Sequence, residues 1–177
     1  LAVVDARVGI GNGLCVPAGP MRAPLSNQWT YTDAVVLVGD GDAGEAVAKK
    51  APCPVFRGRT EPDAEMAALL KNKKVMAVAG IGRPQKLYDS LESVGAEVKI
   101  GRAFDDHHTF DRHEIESLIA ESAQNGLTLV TTTKDHVRIM AVDRKLAQKF
   151  KVLPIRFVAE DQTAFTNWVH QRLENAR

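Results

Sequence analysis

The 177 residues are 45% hydrophobic and 25% charged, with 23 Lys and Arg against 22 Asp and Glu for a net charge of +1. Apolar content this high with charge this low excludes a disordered chain, and the length allows about 70% of the unfolded surface to be buried, in one domain or two small ones. The charge balance excludes the basic excess that marks nucleic-acid binding. Cys15 and Cys53 stand far apart with no C-x-x-C, so neither a disulfide framework nor a zinc ribbon follows; both read as reduced thiols in a cytoplasmic setting.

Short β-branched runs bounded by Gly or Pro predict strands over 1–4, 34–38, 75–79, 97–100, 128–132 and 153–158. Amphipathic stretches predict helices over 42–50, 61–71, 84–94, 111–124, 142–150 and 164–175. Pro62 and Pro84 stand where a missing N–H costs a helix nothing. Asp111 and Glu114 form a capping-box pattern, and Asn125-Gly126 ends that helix. On the last helix Ala164, Phe165, Trp168, Val169 and Leu173 make one apolar stripe facing a core. Strands alternating with helices predict an α/β fold of mostly parallel sheets with helices on both faces. The Pro-containing segment 51–60 reads as a linker between a first lobe, 1–50, and a compact second lobe, 61–177. The chain opens inside an apolar run, which reads as a piece of a longer sequence. Residues 1–4, an inner strand of a larger sheet, are expected to be poorly ordered or artificially paired.

Four polar segments follow predicted strands. Gly39-Asp40-Gly41-Asp42-Ala43-Gly44 fits the dinucleotide pattern G-x-G-x-x-G, but Asp40 and Asp42 would repel a pyrophosphate. The strand that should carry the ribose-binding acid is replaced by the linker. Gly80-Ile81-Gly82-Arg83 opens the next helix and offers either a tight turn or a cradle for an anion. Asp105-Asp106-His107-His108 lies between a strand and the Asp111 helix, where α/β proteins place their sites. Three readings stand there: an acid/base histidine tuned by its aspartate, a solvated cap, or a metal site drawing on His113 as well. Thr131-Thr132-Thr133-Lys134-Asp135-His136-Val137-Arg138 closes the series as a solvated strand end, with Lys134 and Arg138 spaced to share a helix face. Neither G-x-x-x-x-G-K-[ST] nor G-x-S-x-G occurs. The residues alone describe part of an α/β protein that binds something anionic.

Taken together, four ordered motifs resemble the tetraacyldisaccharide 4'-kinase family of lipid A biosynthesis. They are Val3-Val4-Asp5-Ala6-Arg7 with Gly11-Asn12-Gly13 and Pro17-Ala18-Gly19-Pro20-Met21-Arg22-Ala23-Pro24; Ala79-Gly80-Ile81-Gly82-Arg83-Pro84; Phe104-Asp105-Asp106-His107-His108-Thr109-Phe110; and Thr131-Thr132-Thr133-Lys134-Asp135. Met21, Ala23 and Thr133 depart from the family pattern, the last where it is acidic. The resemblance implies an ATP- and Mg²⁺-dependent kinase that phosphorylates the 4'-hydroxyl of an acylated disaccharide 1-phosphate lipid. It would work at the cytoplasmic face of the bacterial inner membrane as a peripheral protein, touching the membrane through an N-terminal part missing here. It implies a P-loop core domain, of which residues 1–50 would be the remnant, and a smaller α/β C-terminal domain. The P-loop and an acidic Mg²⁺ motif would precede Val3, so the chain alone is expected to be inactive. By the same resemblance His107 would be catalytic, paired with an Asp of the missing half and oriented by Asp106. Asn12, Gly13, Arg22 and His108 would bind substrate, and Gly82, Arg83 and Lys134 would face phosphates. The alternatives are a non-catalytic anion- or nucleotide-binding module and an NAD(P)-binding protein using residues 39–44.

Overall fold

The computed structural model describes residues 1–175, which divide into two compact units: residues 1–61 with the segment from Phe157 onward, and Pro62–Arg156. Both are built on mostly parallel sheets, as strand–helix alternation predicts.

In the first unit β1 (Ala2–Asp5), β2 (Val35–Val38) and β3 (Val55–Pro62) pair in parallel, in register Val3↔Val36 and Val36↔Phe56. With β8 (Ile155–Ala159) they form a sheet of order β1-β2-β3-β8. Helices α1 (Leu25–Trp29), α2 (Asp42–Ala48) and α8 (Gln162–Asn175) complete the unit. Its small core joins Ala6, Leu37 and Ala48 with the half-buried Val4 and Val55. Phe56, Phe157, Phe165 and Trp168 form an aromatic cluster with ring centroids 5.2–5.9 Å apart.

The second unit carries β4 (Lys74–Ala79), β5 (Glu97–Ala103), β6 (Thr128–Thr131) and β7 (Lys151–Val152) in the parallel order β5-β4-β6-β7. Five consecutive residues of β4, Val75 to Ala79, are 0% exposed, so both faces of this central strand are covered. Alternate side chains point to opposite faces of a strand. Val75, Ala77 and Ala79 meet Leu70 of α3 (Ala64–Leu70) and Leu87 and Leu91 of α4 (Gln85–Ser93). Met76 and Val78 meet Ile115 and Leu118 of α5 (Arg112–Gln124) and Ile139 of α6 (Thr133–Val142). The short α7 (Arg144–Ala147) follows, capped by Asp143. The capping box forms as its spacing predicts: Asp111 Oδ1 accepts the Glu114 amide at 2.8 Å, and Glu114 Oε2 accepts the Asp111 amide at 2.9 Å.

Several expectations need correction. Residues 51–60 are no linker, because β3 occupies most of them and its first half, Val55 to Gly58, pairs with β2. The second unit ends at Arg156, and α8 belongs to the first, so the division at 50 and 61–177 does not hold. Poor order or artificial pairing is expected of residues 1–4, but Ala2–Asp5 form β1, with four register pairs to β2. The predicted helix at 61 begins at Ala64, since Pro62 ends β3 and the Asp63 carboxylate accepts the Met66 amide at 3.0 Å. Residues 133–138 form the first turns of α6, and the predicted helix over 142–150 is the end of α6 plus α7, divided at Asp143. The α8 stripe is only half-buried at Phe165, Trp168 and Val169, and Ala164 and Leu173 are exposed. No described helix is long and apolar enough to cross a membrane.

Candidate active site

The strand order of the second unit reverses at β4, and parallel sheets bind ligands outside their carboxyl ends at such a switch point. The segments after β4, β5 and β6 all leave the sheet at that edge. They carry Gly80–Arg83, Asp105–His108 and Thr132–Arg138 respectively. Topology thus gathers three of the four sequence motifs onto one rim.

Asp135 is the anchor. It is 0% exposed, and a buried carboxylate persists only when its oxygens are paired. Oδ2 accepts the Gly80 amide at 3.0 Å and the Thr132 hydroxyl at 2.8 Å. Oδ1 accepts Arg138 Nη1 at 2.8 Å. The Thr132 hydroxyl in turn caps α6, accepting the Asp135 amide at 3.1 Å. Arg138 Nη1 also donates to the Gly80 carbonyl at 2.9 Å, and Nη2 donates to His107 Nδ1 at 3.1 Å. One guanidinium fork therefore ties β4, the β5 loop and α6 together.

His107 is exposed, with φ +65°. That left-handed backbone costs a side-chain-bearing residue about 1–2 kcal/mol, and such strain persists where surroundings over-determine it. Its Nε2 lies 3.7 Å from Asp106 Oδ2, beyond hydrogen-bond reach. Arg138, not Asp106, orients the ring. His108 is held differently: its ring stacks on Phe104 at 4.7 Å and meets Phe110 edge-on at 4.9 Å. Its Nε2 sits 3.1–3.2 Å from both Glu114 carboxylate oxygens. It braces the start of α5, and this differs from the substrate contact expected of it.

The glycine turn is not an open anion cradle at Gly80, whose amide already serves Asp135. Gly82 faces Asp106, whose Oδ2 a Cβ there would meet at 3.4 Å, an ordinary contact. Arg83 and Lys134 are exposed cationic side chains on the segments after β4 and β6. Sequence reasoning missed Asp135 as an anchor and Arg138 as the partner of His107. Their i, i+3 spacing on a helix was the one available signal.

In the first unit Asn12, Gly13 and Arg22 lie in the long segment after β1. Asn12 closes that segment on itself: Nδ2 donates to the Ala18 carbonyl at 2.8 Å and Oδ1 accepts the Leu14 amide at 3.1 Å. Gly13 takes φ +74°, and Arg22 is exposed. The G-x-G-x-x-G turn is closed as well. The Gly44 amide donates to the Ala6 carbonyl at 2.8 Å, and a Cβ at Gly41 would stand 2.5 Å from that same oxygen. These glycines make room for the chain after β1, which takes the space a pyrophosphate would need, and the NAD(P) alternative falls with them.

A family model described as tetraacyldisaccharide-1-P 4'-kinase matches residues 1–174. The chain is 50% identical over 168 residues to a tetraacyldisaccharide 4'-kinase of Methylobacterium sp. (strain 4-46), covering 93% of this chain and 49% of that protein. Against the same-named protein of Rhodopseudomonas palustris (strain BisB5) identity is 41% over 180 residues, with 100% and 53% covered. The crystal structure of LpxK from Aquifex aeolicus in complex with ATP superposes with a TM-score of 0.60 at 20% identity, covering 97% of this chain and 52% of that one. That likeness concerns the fold. The chain spans about half the length of the curated relatives it matches.

Proposed function

The chain belongs to the tetraacyldisaccharide-1-P 4'-kinase family, and on that premise we propose that it supplies about half of an ATP-dependent kinase acting on the 4'-hydroxyl of an acylated disaccharide 1-phosphate in lipid A biosynthesis. The observation that carries this reading is His107, held strained and exposed at a sheet switch point by Arg138 and the buried Asp135. Phosphoryl transfer asks a protein for positioning and charge stabilisation more than for covalent chemistry. His107 presents its Nε2 at the rim and assists a carboxylate of the remaining half in drawing the proton from the sugar hydroxyl. His108 is committed to Glu114, so His107 is the histidine free for this work. Arg83 and Lys134 offer positive charge to phosphate oxygens, and Arg22 of the first unit is a further cation for binding substrate.

The resemblance also implies Mg²⁺. Among the described residues no group of three or more His, Cys, Asp and Glu could hold an ion, and Asp135 is used up by Gly80, Thr132 and Arg138. These residues do not fit the metal, and they act by binding and orienting. We place the whole protein at the cytoplasmic face of the bacterial inner membrane, as a peripheral protein.

The test uses the longer protein that carries this segment, labelled ATP and tetraacyldisaccharide 1-phosphate, with the phosphorylated lipid separated and counted. His107→Ala should lower turnover about 10²–10⁴-fold, the usual worth of positioned acid–base assistance. Wild-type turnover in that variant would refute the role of His107, and no ATP-dependent labelling of the lipid by the unmutated protein would refute the kinase reading.

A further inference from the structure

We propose that Arg138 is a positioning residue that fixes the tautomer of His107, so that the neutral ring presents an Nε2–H donor at the rim rather than a lone pair. A guanidinium has five donors and no acceptor. Its contact with His107 Nδ1 at 3.1 Å therefore requires Nδ1 to accept, and the partner of one ring nitrogen decides which nitrogen bears the proton. The fork cannot turn away from this task. Nη1 is pinned by the Gly80 carbonyl and Asp135 Oδ1, and Asp135 is pinned by the Gly80 amide and Thr132. Guanidinium planarity then fixes the direction of Nη2. Asp106, at 3.7 Å from Nε2, makes no competing hydrogen bond.

The consequence for the reaction rests on the kinase reading above. A histidine with its proton on Nε2 and its Nδ1 occupied acts by donating to an oxygen, steadying a carboxylate or a phosphoryl oxygen. It does not itself accept the hydroxyl proton.

The test of the tautomer needs no activity. The ¹⁵N-labelled 177-residue chain is studied by imidazole ¹H–¹⁵N correlation at about pH 8.5, above the ordinary imidazole range of about 6.5. His107 should show one tautomer, with Nε2 protonated and Nδ1 bare, while the exposed His113 shows the mixture of a solvated ring. Arg138→Ala should return His107 to that mixture. Because this variant leaves Asp135 buried without its cation, the double variant D135N/R138A, which removes both charges, is measured beside it. A proton on Nδ1 in the unmutated chain, or an unchanged tautomer ratio in both variants, overturns the proposal. In the longer protein Arg138→Lys keeps the charge and loses the fork, so kcat should fall, by up to about 10²-fold for a misplaced group, with KM for ATP little changed. An unchanged kcat overturns the catalytic consequence. Failure of the kinase reading would appear separately, as absent lipid phosphorylation by the unmutated protein with the His107 spectrum as expected.

Discussion

Asp135→Ala removes the carboxylate on which the rim of the second unit converges. The side chain is 0% exposed and holds the Gly80 amide, the Thr132 hydroxyl and the Arg138 guanidinium at 2.8–3.0 Å. Breaking a buried ion pair by removing one partner costs about 3–5 kcal/mol. The Arg138 side chain keeps 25% exposure, and water reaching the stranded guanidinium brings the expectation to the lower end, about 3 kcal/mol. For a unit of this size each kcal/mol shifts Tm by about 4–8 °C, so the fall should be roughly 12–24 °C. The assay is unfolding followed by two signals. Trp29 and Trp168 both lie in the first unit, so indole fluorescence reports that unit, while far-UV circular dichroism sees both. The variant should displace a dichroism transition with little change in the fluorescence transition. Asp135→Asn keeps an acceptor for Gly80 and Thr132 but loses the charge and turns an NH2 toward the Arg138 guanidinium, which can only donate, and about 1–3 kcal/mol is expected. If Asp135→Ala unfolded within about 0.5 kcal/mol of the unmutated chain, the range of an ordinary surface change, the carboxylate would not be the anchor described.

Other predictions follow from single groups. The Leu146 amide, then the Lys145 amide, and then Arg112 hold the Asp143 carboxyl below the usual carboxylate range. Its contribution is therefore present above the unfolded-chain value of about 3.9 and lost as pH falls through the lower folded value. Asp143→Asn should flatten the acid limb of a plot of Tm against pH. Gly44→Ala would drive a Cβ into the Ala6 backbone and onto Leu37, so a loss of about 1–3 kcal/mol should appear in tryptophan-monitored unfolding. His107→Gly should be more stable than His107→Ala by about 0.5–1 kcal/mol, because the relieved φ strain outweighs the added freedom of the unfolded chain. Both variants lack the imidazole, so the difference isolates backbone strain and is read by urea titration. Ile115→Ala should cost about 2–5 kcal/mol by the same titration, since Ile115 is 0% exposed between α5 and the sheet.

The central strands were legible because burial on both faces demands an unbroken apolar run, which 75–79 and 34–38 supply. The α5 start was legible because a capping box is local chemistry. Strand β3 was hidden by Arg57, Arg59 and Glu61: Arg59 pairs with Glu61 within the strand at 2.6 Å, while Arg57 binds Glu45 of α2 at 2.9 Å. Nothing within the strand's own sequence shows that Glu45 will answer Arg57. Helix α6 was hidden by its threonines, which read as strand end or turn until Thr132 is seen capping. Motif positions put His107 and His108 in the right loop, but their division of labour depends on Glu114 and Arg138, and Arg138 lies 31 residues from His107. The partner of Asp135 in the glycine turn lies 55 residues away, a separation at which pattern carries no pairing information.

Gly80 has both halves of its peptide hydrogen-bonding capacity taken by one helix turn, its N–H by Asp135 and its C=O by Arg138. Two side chains thereby do what a neighbouring strand does. The β4–β6 ladder, whose last backbone pair is Val78↔Thr131, continues beyond its end in side-chain form. An amide at the margin of a sheet normally exchanges with solvent early, by local fraying. Gly80 should exchange as slowly as the amides of β4 itself. The turn, the histidine loop and the first turn of α6 would then open together or not at all, so a ligand reaching any one of them meets a surface already set in place.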